Sequence, residues 1–119
     1  MITSEIFNNK SVITFENVNK LNFLNIDEIV VCLKRKLEET KKDLYLDLTG
    51  IRFIDSSASG KLIAIHRFAN SINRKFRLFN ASKELREIFL YTGISKKLYF
   101  ADIREVFENQ DQEYRVTYL

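Results

Sequence analysis

Cysteine and histidine are almost missing from this chain of 119 residues, which has one of each. A lone cysteine cannot form an internal disulfide, and one residue of each type cannot build a Cys/His metal site. Cys32 falls in an apolar helical pattern, where we expect it to serve packing. His66, expected at the surface or its boundary, lies ten positions after Ser56 in one predicted helix, which is about 15 Å along the axis. A Ser-His hydrolytic pair is therefore excluded, because a general base must reach its nucleophile.

Proline is absent and glycine occurs only three times. Since no Pro- or Gly-rich linker divides the chain, we predict a single domain over residues 1–119. The scarcity of glycine also argues against the loops that hold nucleotide phosphates. Gly60-Lys61 lacks the earlier glycine and the Ser/Thr of a P-loop. We therefore expect no bound nucleotide and no other cofactor.

Long hydrophobic runs are missing as well. No apolar stretch approaches the about 20 residues that span a bilayer, and Met1–Glu5 lacks the basic and apolar regions of a secretory signal. We expect a cytoplasmic protein without membrane insertion.

The net charge is only +3, and acidic residues interrupt the Lys and Arg residues. This mixture is typical of a solvated surface rather than of direct nucleic-acid binding.

Apolar periodicity predicts alternating strands and helices after an N-terminal hairpin. The hairpin strands are Ile2–Phe7 and Ser11–Glu16, joined by Asn8-Asn9-Lys10. The remaining predicted segments are strands at Asp43–Thr49, Phe76–Phe79, Leu98–Phe100 and Glu113–Leu119, and helices from Asp27 to Lys42 and at Ser56–Asn73, Ser82–Tyr91 and Ala101–Asn109. The expected fold is α/β, with a mixed, mostly parallel four- to five-stranded sheet packed with about four helices.

The most informative segment connects the strand at Asp43–Thr49 to the helix that begins at Ser56. In it, the apolar pair Phe53-Ile54 is followed by Asp55, Ser56 and Ser57. Functional groups of mostly parallel sheets gather at the carboxyl ends of the strands. At a helix start, unpaired N–H groups and the helix dipole allow three uses of these side chains. They can cap the helix, bind an anion or accept a covalent phosphate. The residues by themselves leave all three open.

Two functions based on acidic residues find little support. Asp47 and Asp55 are the nearest pair of acids, and no cluster of His or Cys supports them as metal ligands. A phospho-aspartate receiver domain has an acidic pair after its first strand, where this chain has Asn17-Val18-Asn19. We therefore predict neither a metal site nor a receiver domain.

Two separated segments, in the correct order, resemble the STAS domain, the module shared by bacterial anti-sigma factor antagonists and the cytoplasmic ends of sulphate transporters. The first is Phe53–Gly60, where the family has aspartate-serine-serine/threonine-glycine-x-glycine after a hydrophobic strand. The second runs from Phe76–Ser82 through Thr92-Gly93 to Leu98–Phe100, and is similar to the family's fourth strand, third helix and closing Thr-Gly turn. The resemblance covers essentially the full chain and implies a STAS-like fold.

The resemblance also implies a function. In antagonists of this family the serine after the aspartate is phosphorylated by the anti-sigma factor, which is itself a serine kinase, and a Ser/Thr phosphatase resets it. That position is Ser56, with Ser57 as the backup acceptor. The implied protein is a non-catalytic interaction switch that regulates transcription. Its implied partner interface consists of Asp55, Ser56, Ser57, Ala58, Ser59, Gly60 and Asn22.

The chain departs from the family pattern at three of these positions. Ala58 and Ser59 stand where the family has a glycine and an apolar residue, and Asn22 stands where it has an acid. These differences either alter kinase recognition or mark a lineage that binds its partners without phosphorylation, and they leave the expected fold unchanged. Two alternatives stay open. One is a STAS subunit of a membrane transport system, either as partner of a lipid-transport ABC ATPase or as a transporter's regulatory domain. The other is a small-ligand sensor or enzyme with a pocket at the strand ends.

Overall fold

The computed structural model describes residues 2–107. Its elements in chain order are β1 (Ile2–Phe7), β2 (Lys10–Phe15), β3 (Lys20–Leu21), α1 (Ile26–Thr40), β4 (Asp43–Asp47), β5 (Phe53–Ile54), α2 (Ser56–Ser71), β6 (Phe76–Phe79), α3 (Lys83–Thr92), a 3-10 turn (Ile94–Lys96), β7 (Tyr99–Phe100) and α4 (Ile103–Phe107). The strand predicted at Glu113–Leu119 and the end of the helix predicted at Ala101–Asn109 lie outside the described residues.

Five strands form the main sheet, in the order β1-β2-β4-β6-β7. β1 and β2 are antiparallel and are joined by Asn8-Asn9, whose φ angles of 45° and 63° are those of a two-residue hairpin turn. The strands β2, β4, β6 and β7 run parallel to one another. The predicted mixed, mostly parallel α/β fold is confirmed.

The central strand β4 contributes to a core on each face of this sheet. Leu44 and Leu46 belong to the larger core, which also contains residues of α1, α2 and α3. Tyr45, which points to the other face, packs in a smaller core with Phe107 of α4. The alternation of a strand's side chains therefore explains why the helices cover both faces.

A second, two-stranded sheet pairs β3 with β5 in parallel, with Leu21 opposite Ile54. Because β3 leads into α1 and β5 leads into α2, this pairing brings the starts of the two helices together. An ion pair between Lys61 of α2 and Asp27 of α1, with 2.9 Å from Nζ to Oδ1, joins the helices on their exposed side. The functional segment at the start of α2 thus lies next to the loop between β3 and α1.

Two predicted positions are wrong. His66 is buried, with 8% of its surface exposed, rather than at the surface or its boundary, and its ring packs 5.3 Å from that of Tyr99, measured between centroids. The strand predicted in the core at Leu98–Phe100 is the edge strand β7, Tyr99–Phe100, and of the three residues only Leu98, which precedes it, is buried. Tyr99 and Phe100 are exposed because β7 is the last strand of the sheet within residues 2–107.

Candidate functional site

Asp55 fixes the turn between β5 and α2. Its backbone N–H donates to the carbonyl oxygen of Leu21 in β3, at 3.1 Å. Its carboxylate accepts two further backbone bonds, at Oδ1 from the N–H of Ala58 (2.8 Å) and at Oδ2 from the N–H of Phe23 (2.9 Å). Asp55 is therefore the N-cap of α2, and it also ties this turn to the loop between β3 and α1.

Ser56 and Ser57 are the first two residues of α2, and both are exposed. Because Asp55 supplies the cap, neither hydroxyl is needed for capping. Neither side chain forms a hydrogen bond with another of the residues between 2 and 107. Of the three uses that the sequence left open, capping thus belongs to Asp55. Both serine hydroxyls stay accessible from outside.

Ala58 and Ser59, two of the residues predicted to line the partner interface, are buried. The hydroxyl of Ser59 donates to the carbonyl oxygen of Asp55 at 3.0 Å, within the first turn of α2. Helical phase places both side chains beneath the surface of the isolated domain, and a contact of either one with a partner stays a prediction. Ala58 begins the inward stripe that continues at Leu62 and Ile65, three to four residues apart. Gly60, in contrast, is exposed.

Asn22 builds the loop beside Asp55. Its Oδ1 accepts the backbone N–H of Leu24 at 3.0 Å, and its own N–H donates to Oδ1 of Asn25 at 2.9 Å. Its carbonyl oxygen accepts the N–H of Ile26 at 2.9 Å, where α1 begins. The half-buried Asn22 thus shapes the loop, and a direct contact of Asn22 with a partner stays a prediction.

Sequence reasoning missed two exposed apolar residues next to Asp55. Phe23 is 66% exposed and Leu24 is 78% exposed, both in the loop between β3 and α1. The signal for them is an apolar pair between Asn22 and Asn25, in a segment rich in asparagine. Large apolar side chains usually enter the core, so a pair of them in a polar loop is informative.

Asp47 is a second acidic residue at a strand end, and it is buried. Its Oδ1 accepts from the N–H and the hydroxyl of Thr49, at 2.9 and 2.6 Å, and from Nδ2 of Asn80 at 3.2 Å. Burial raises the pKa of Asp47, and these hydrogen bonds offset part of the rise. Asp47 therefore fixes the turn after β4. Nowhere between residues 2 and 107 do three His, Cys, Asp or Glu side chains form a metal-binding group.

The carboxyl ends of β6 and β7 form a shallow depression of about 200 Å³, lined by residues that include Asn80, Arg86 and Phe100. Small-molecule sites usually enclose about 300–1,000 Å³. This depression therefore gives little support to the small-ligand alternative.

The helices in the described part of the chain are too short or too polar to cross a membrane.

Several solved structures share this fold. A putative anti-sigma factor antagonist from Thermotoga maritima is 19% identical, with a TM-score of 0.72 over 88% of this chain and 93% of that one. The Bacillus cell fate determinant SpoIIAA in its phosphorylated form is 16% identical, with a TM-score of 0.61 over 100% of both chains. The murine anion transporter Slc26a9 is 17% identical, with a TM-score of 0.57 over 82% of this chain and 17% of the transporter.

These identities are low enough that the likenesses show the fold alone, and a search of curated proteins gave no match. The family assignment comes from the sequence itself. The pattern of the STAS domain matches residues 5–112, a range that holds both Asp55-Ser56-Ser57 and the second motif through Gly93. The chain therefore belongs to the STAS domain family.

Proposed function

We propose that this STAS domain is an anti-sigma factor antagonist, a non-catalytic switch that binds an anti-sigma factor with serine kinase activity. One observation carries the proposal. The hydroxyl of Ser56 is exposed at the first position of α2 and has no internal role, because Asp55 caps the helix. The shared fold of the Thermotoga antagonist and of phosphorylated SpoIIAA supports the proposal. Ser57, the next exposed hydroxyl, is the backup acceptor.

A phosphate on Ser56 would change the charge of this surface while the fold stays intact. It adds about −1.5 to −2 charges at neutral pH. At an exposed position such as Ser56, the positive end of the α2 dipole stabilises such a charge by about 0.3–1 kcal/mol at low ionic strength. In a protein interface the same charge would repel acidic groups and would lose its hydration. Phosphorylation would therefore act locally, by weakening the partner interface.

Binding, phosphorylation and dephosphorylation would follow one another in a cycle. The unphosphorylated domain binds the anti-sigma factor, which then releases its sigma factor. The kinase activity of the anti-sigma factor phosphorylates Ser56 and ends the complex, and a Ser/Thr phosphatase restores the active form. All of these steps take place in the cytoplasm. The domain itself needs no cofactor, no nucleic acid and no membrane.

Phosphorylation in vitro tests the proposal. The purified chain is incubated with the candidate anti-sigma kinase encoded in the same genome and Mg-ATP, and the products are mapped by mass spectrometry. We expect phosphate on Ser56 in the wild type and none in Ser56→Ala. Ser71→Ala is the control, because Ser71 is an exposed serine at the other end of α2.

The same kinase tests the effect of the charge on binding. We expect Ser56→Asp to weaken the complex by at least about tenfold, since the charge lies in the proposed interface. If phosphate is absent from both Ser56 and Ser57 and Ser56→Asp binds as well as the wild type, the switch is rejected.

A STAS subunit of a membrane transport system is the second candidate, favoured by the fold shared with Slc26a9. Such a subunit would bind a transporter or the ATPase of a lipid-transport ABC system instead of a kinase. Co-purification of the tagged chain with transport proteins of its own organism, together with no binding to the anti-sigma kinase, would favour this candidate over the first.

A further inference from the structure

The loop between β3 and α1 ends in an apolar tip made of Phe23 and Leu24. These side chains are 66% and 78% exposed, although each of them is large enough to fill a core position. The residues on either side, Asn22 and Asn25, are polar and half-buried. Exposed apolar side chains are common on protein surfaces, and α3 carries a second such pair at Leu90 and Tyr91. Phe23 and Leu24 differ in lying beside Asp55, so their position is what points to an interaction.

The tip is held in place by hydrogen bonds. The N–H of Phe23 donates to Oδ2 of Asp55, and the N–H of Leu24 donates to Oδ1 of Asn22. Nδ2 of Asn25 donates to the carbonyl oxygen of Lys20 at 2.9 Å and closes the loop from the other side. A loop whose backbone is fixed before binding loses little entropy when a partner covers it, so its apolar side chains are well suited to binding.

The tip also lies within reach of any partner that covers Ser56. The backbone nitrogen of Phe23 is 2.9 Å from the carboxylate of Asp55, the residue that precedes Ser56. A protein interface of standard size covers about 800 Å² on each side, equivalent to a disc of about 16 Å radius. A kinase interface of this size, centred on the Ser56 hydroxyl, would also cover Phe23 and Leu24. Buried aromatic side chains near the centre of an interface contribute most to affinity.

We infer that Phe23 and Leu24 are the apolar anchor by which the partner kinase holds this domain, and that the kinase carries an apolar pocket beside its phosphoryl-transfer site. The inference rests on the proposed function and adds to it the chemistry of recognition. The charge switch at Ser56 and the apolar contact at the tip then have separate roles. The tip supplies affinity, and the phosphate on Ser56 removes it.

A pair of matched double variants tests this inference. Phe23→Ser/Leu24→Ser removes the tip. Leu90→Ser/Tyr91→Ser is the control, because Leu90 and Tyr91 are an exposed leucine and an exposed aromatic residue on α3, 70% and 94% exposed. Binding to the purified anti-sigma kinase is measured by calorimetry, and the KM for phosphorylation of Ser56 is measured with Mg-ATP. Circular dichroism and urea denaturation check that each variant is folded.

We expect the tip variant to raise both the Kd and the KM by about 30-fold or more, which is the effect of losing a hot-spot contact. The control should change them less than about threefold, as exposed residues outside an interface do. Phe23→Met/Leu24→Met, which keeps apolar side chains of similar size, should retain most of the affinity of the wild type.

The other outcomes overturn the inference and can be told apart. If the wild type binds the kinase and the tip variant binds equally well, the anchor is rejected and the proposed function stands. If the wild type does not bind, the proposed function fails and the anchor fails with it. Sedimentation with phosphatidylglycerol vesicles is a separate arm. Vesicle binding by the wild type that the tip variant loses would assign the tip to a lipid surface and reject the protein partner.

Discussion

Both carboxylate oxygens of Asp55 accept backbone N–H groups, one from the first turn of α2 and one from the loop before α1. We expect Asp55→Ala to lower the free energy of unfolding by about 1–2 kcal/mol, because it removes a helix cap and a tie between two segments. Asp55→Asn keeps one acceptor oxygen and should lose about half as much. Urea denaturation measures both values. Ser57→Ala is the control, and a loss in Asp55→Ala no larger than in Ser57→Ala would contradict the double role.

Asp47 gives the fold a component of stability that depends on pH. Burial raises its pKa in the folded state above the ordinary value of 3.8. Between these two pKa values the folded state binds more protons than the unfolded state, so a decrease in pH favours folding at this residue. The buried charge therefore costs stability in full above the raised pKa, and the cost disappears as the pH falls towards 3.8.

Asp47→Asn tests this sign, because the amide does not titrate and its oxygen still accepts from Thr49. We expect the free energy of unfolding of the variant, minus that of the wild type, to be highest near pH 7 and to decrease as the pH is lowered towards about 4. Other groups, including His66, titrate in both proteins, so their contributions cancel in the difference between the two free energies of unfolding. Urea denaturation over this pH range measures it. A difference that is constant, or that increases at low pH, would contradict the raised pKa of Asp47.

Among the elements, those with a clear apolar pattern or cap could be predicted from the sequence, and the β3–β5 pair could not. The start of α3 follows from Ser82, whose side chain caps the helix, and its end follows from Gly93, which adopts a left-handed conformation. The apolar pattern of Phe76–Phe79 predicts β6 with the bounds that the structure shows. The β3–β5 pair was missed because a strand of two residues shows no periodicity, and its partner is distant in the sequence.

The unpredicted pairing of β3 with β5 also explains why Phe23 and Leu24 could not be assigned to the site from the sequence. The segment from Asp55 to Gly60 could be placed at a helix start from its local pattern and from its family resemblance. Phe23 and Leu24 lie beside this segment because Leu21 pairs with Ile54. This pairing joins residues that are distant in the sequence, so the local sequence pattern does not predict it. Ala58 and Ser59 are buried because they lie on the side of α2 that faces the core. The sequence predicts the start of a helix only to within one or two residues, and a shift of this size changes which residues face inward.

Two glycines at helices should respond in opposite ways to an added methyl group. Gly93 ends α3 with a φ of 80°, a left-handed conformation, so Gly93→Ala should lower the free energy of unfolding by about 1–2 kcal/mol. Gly60 lies within α2, and an added Cβ would meet no atom within 4 Å. Gly60→Ala should therefore raise the free energy of unfolding by about 0.5–1 kcal/mol. Urea denaturation compares both with the wild type, and a shift of both in one direction would contradict these local conformations.

Over the whole molecule, the stable core and the exposed site are separate. The large buried side chains lie on the two faces of the main sheet, whereas Ser56, Phe23 and Leu24 lie on the rim where two helix starts meet. A charge added on this rim does not enter either core. The proposed switch therefore needs no rearrangement of the sheet, because the modified group is itself part of the surface that a partner would cover.

The two ends of α2 allow a test of this separation. Ser56→Asp adds a negative charge at the positive end of the helix dipole, and Ser71→Asp adds the same charge at the negative end. We expect the free energy of unfolding of Ser56→Asp to exceed that of Ser71→Asp by about 0.5–1.5 kcal/mol at low ionic strength, with native circular dichroism in both variants. Repulsion from Asp55 reduces this gap without reversing it.

Urea denaturation at low and at high ionic strength measures the gap, which should shrink with added salt because exposed charges are screened. The outcome decides how a phosphate on Ser56 would act on the molecule. If Ser56→Asp is clearly less stable than the wild type, a charge at this position destabilises the fold, and phosphorylation would work by local unfolding of the start of α2. If it is as stable as the wild type, the fold tolerates the charge, and any loss of partner binding must come from the surface itself.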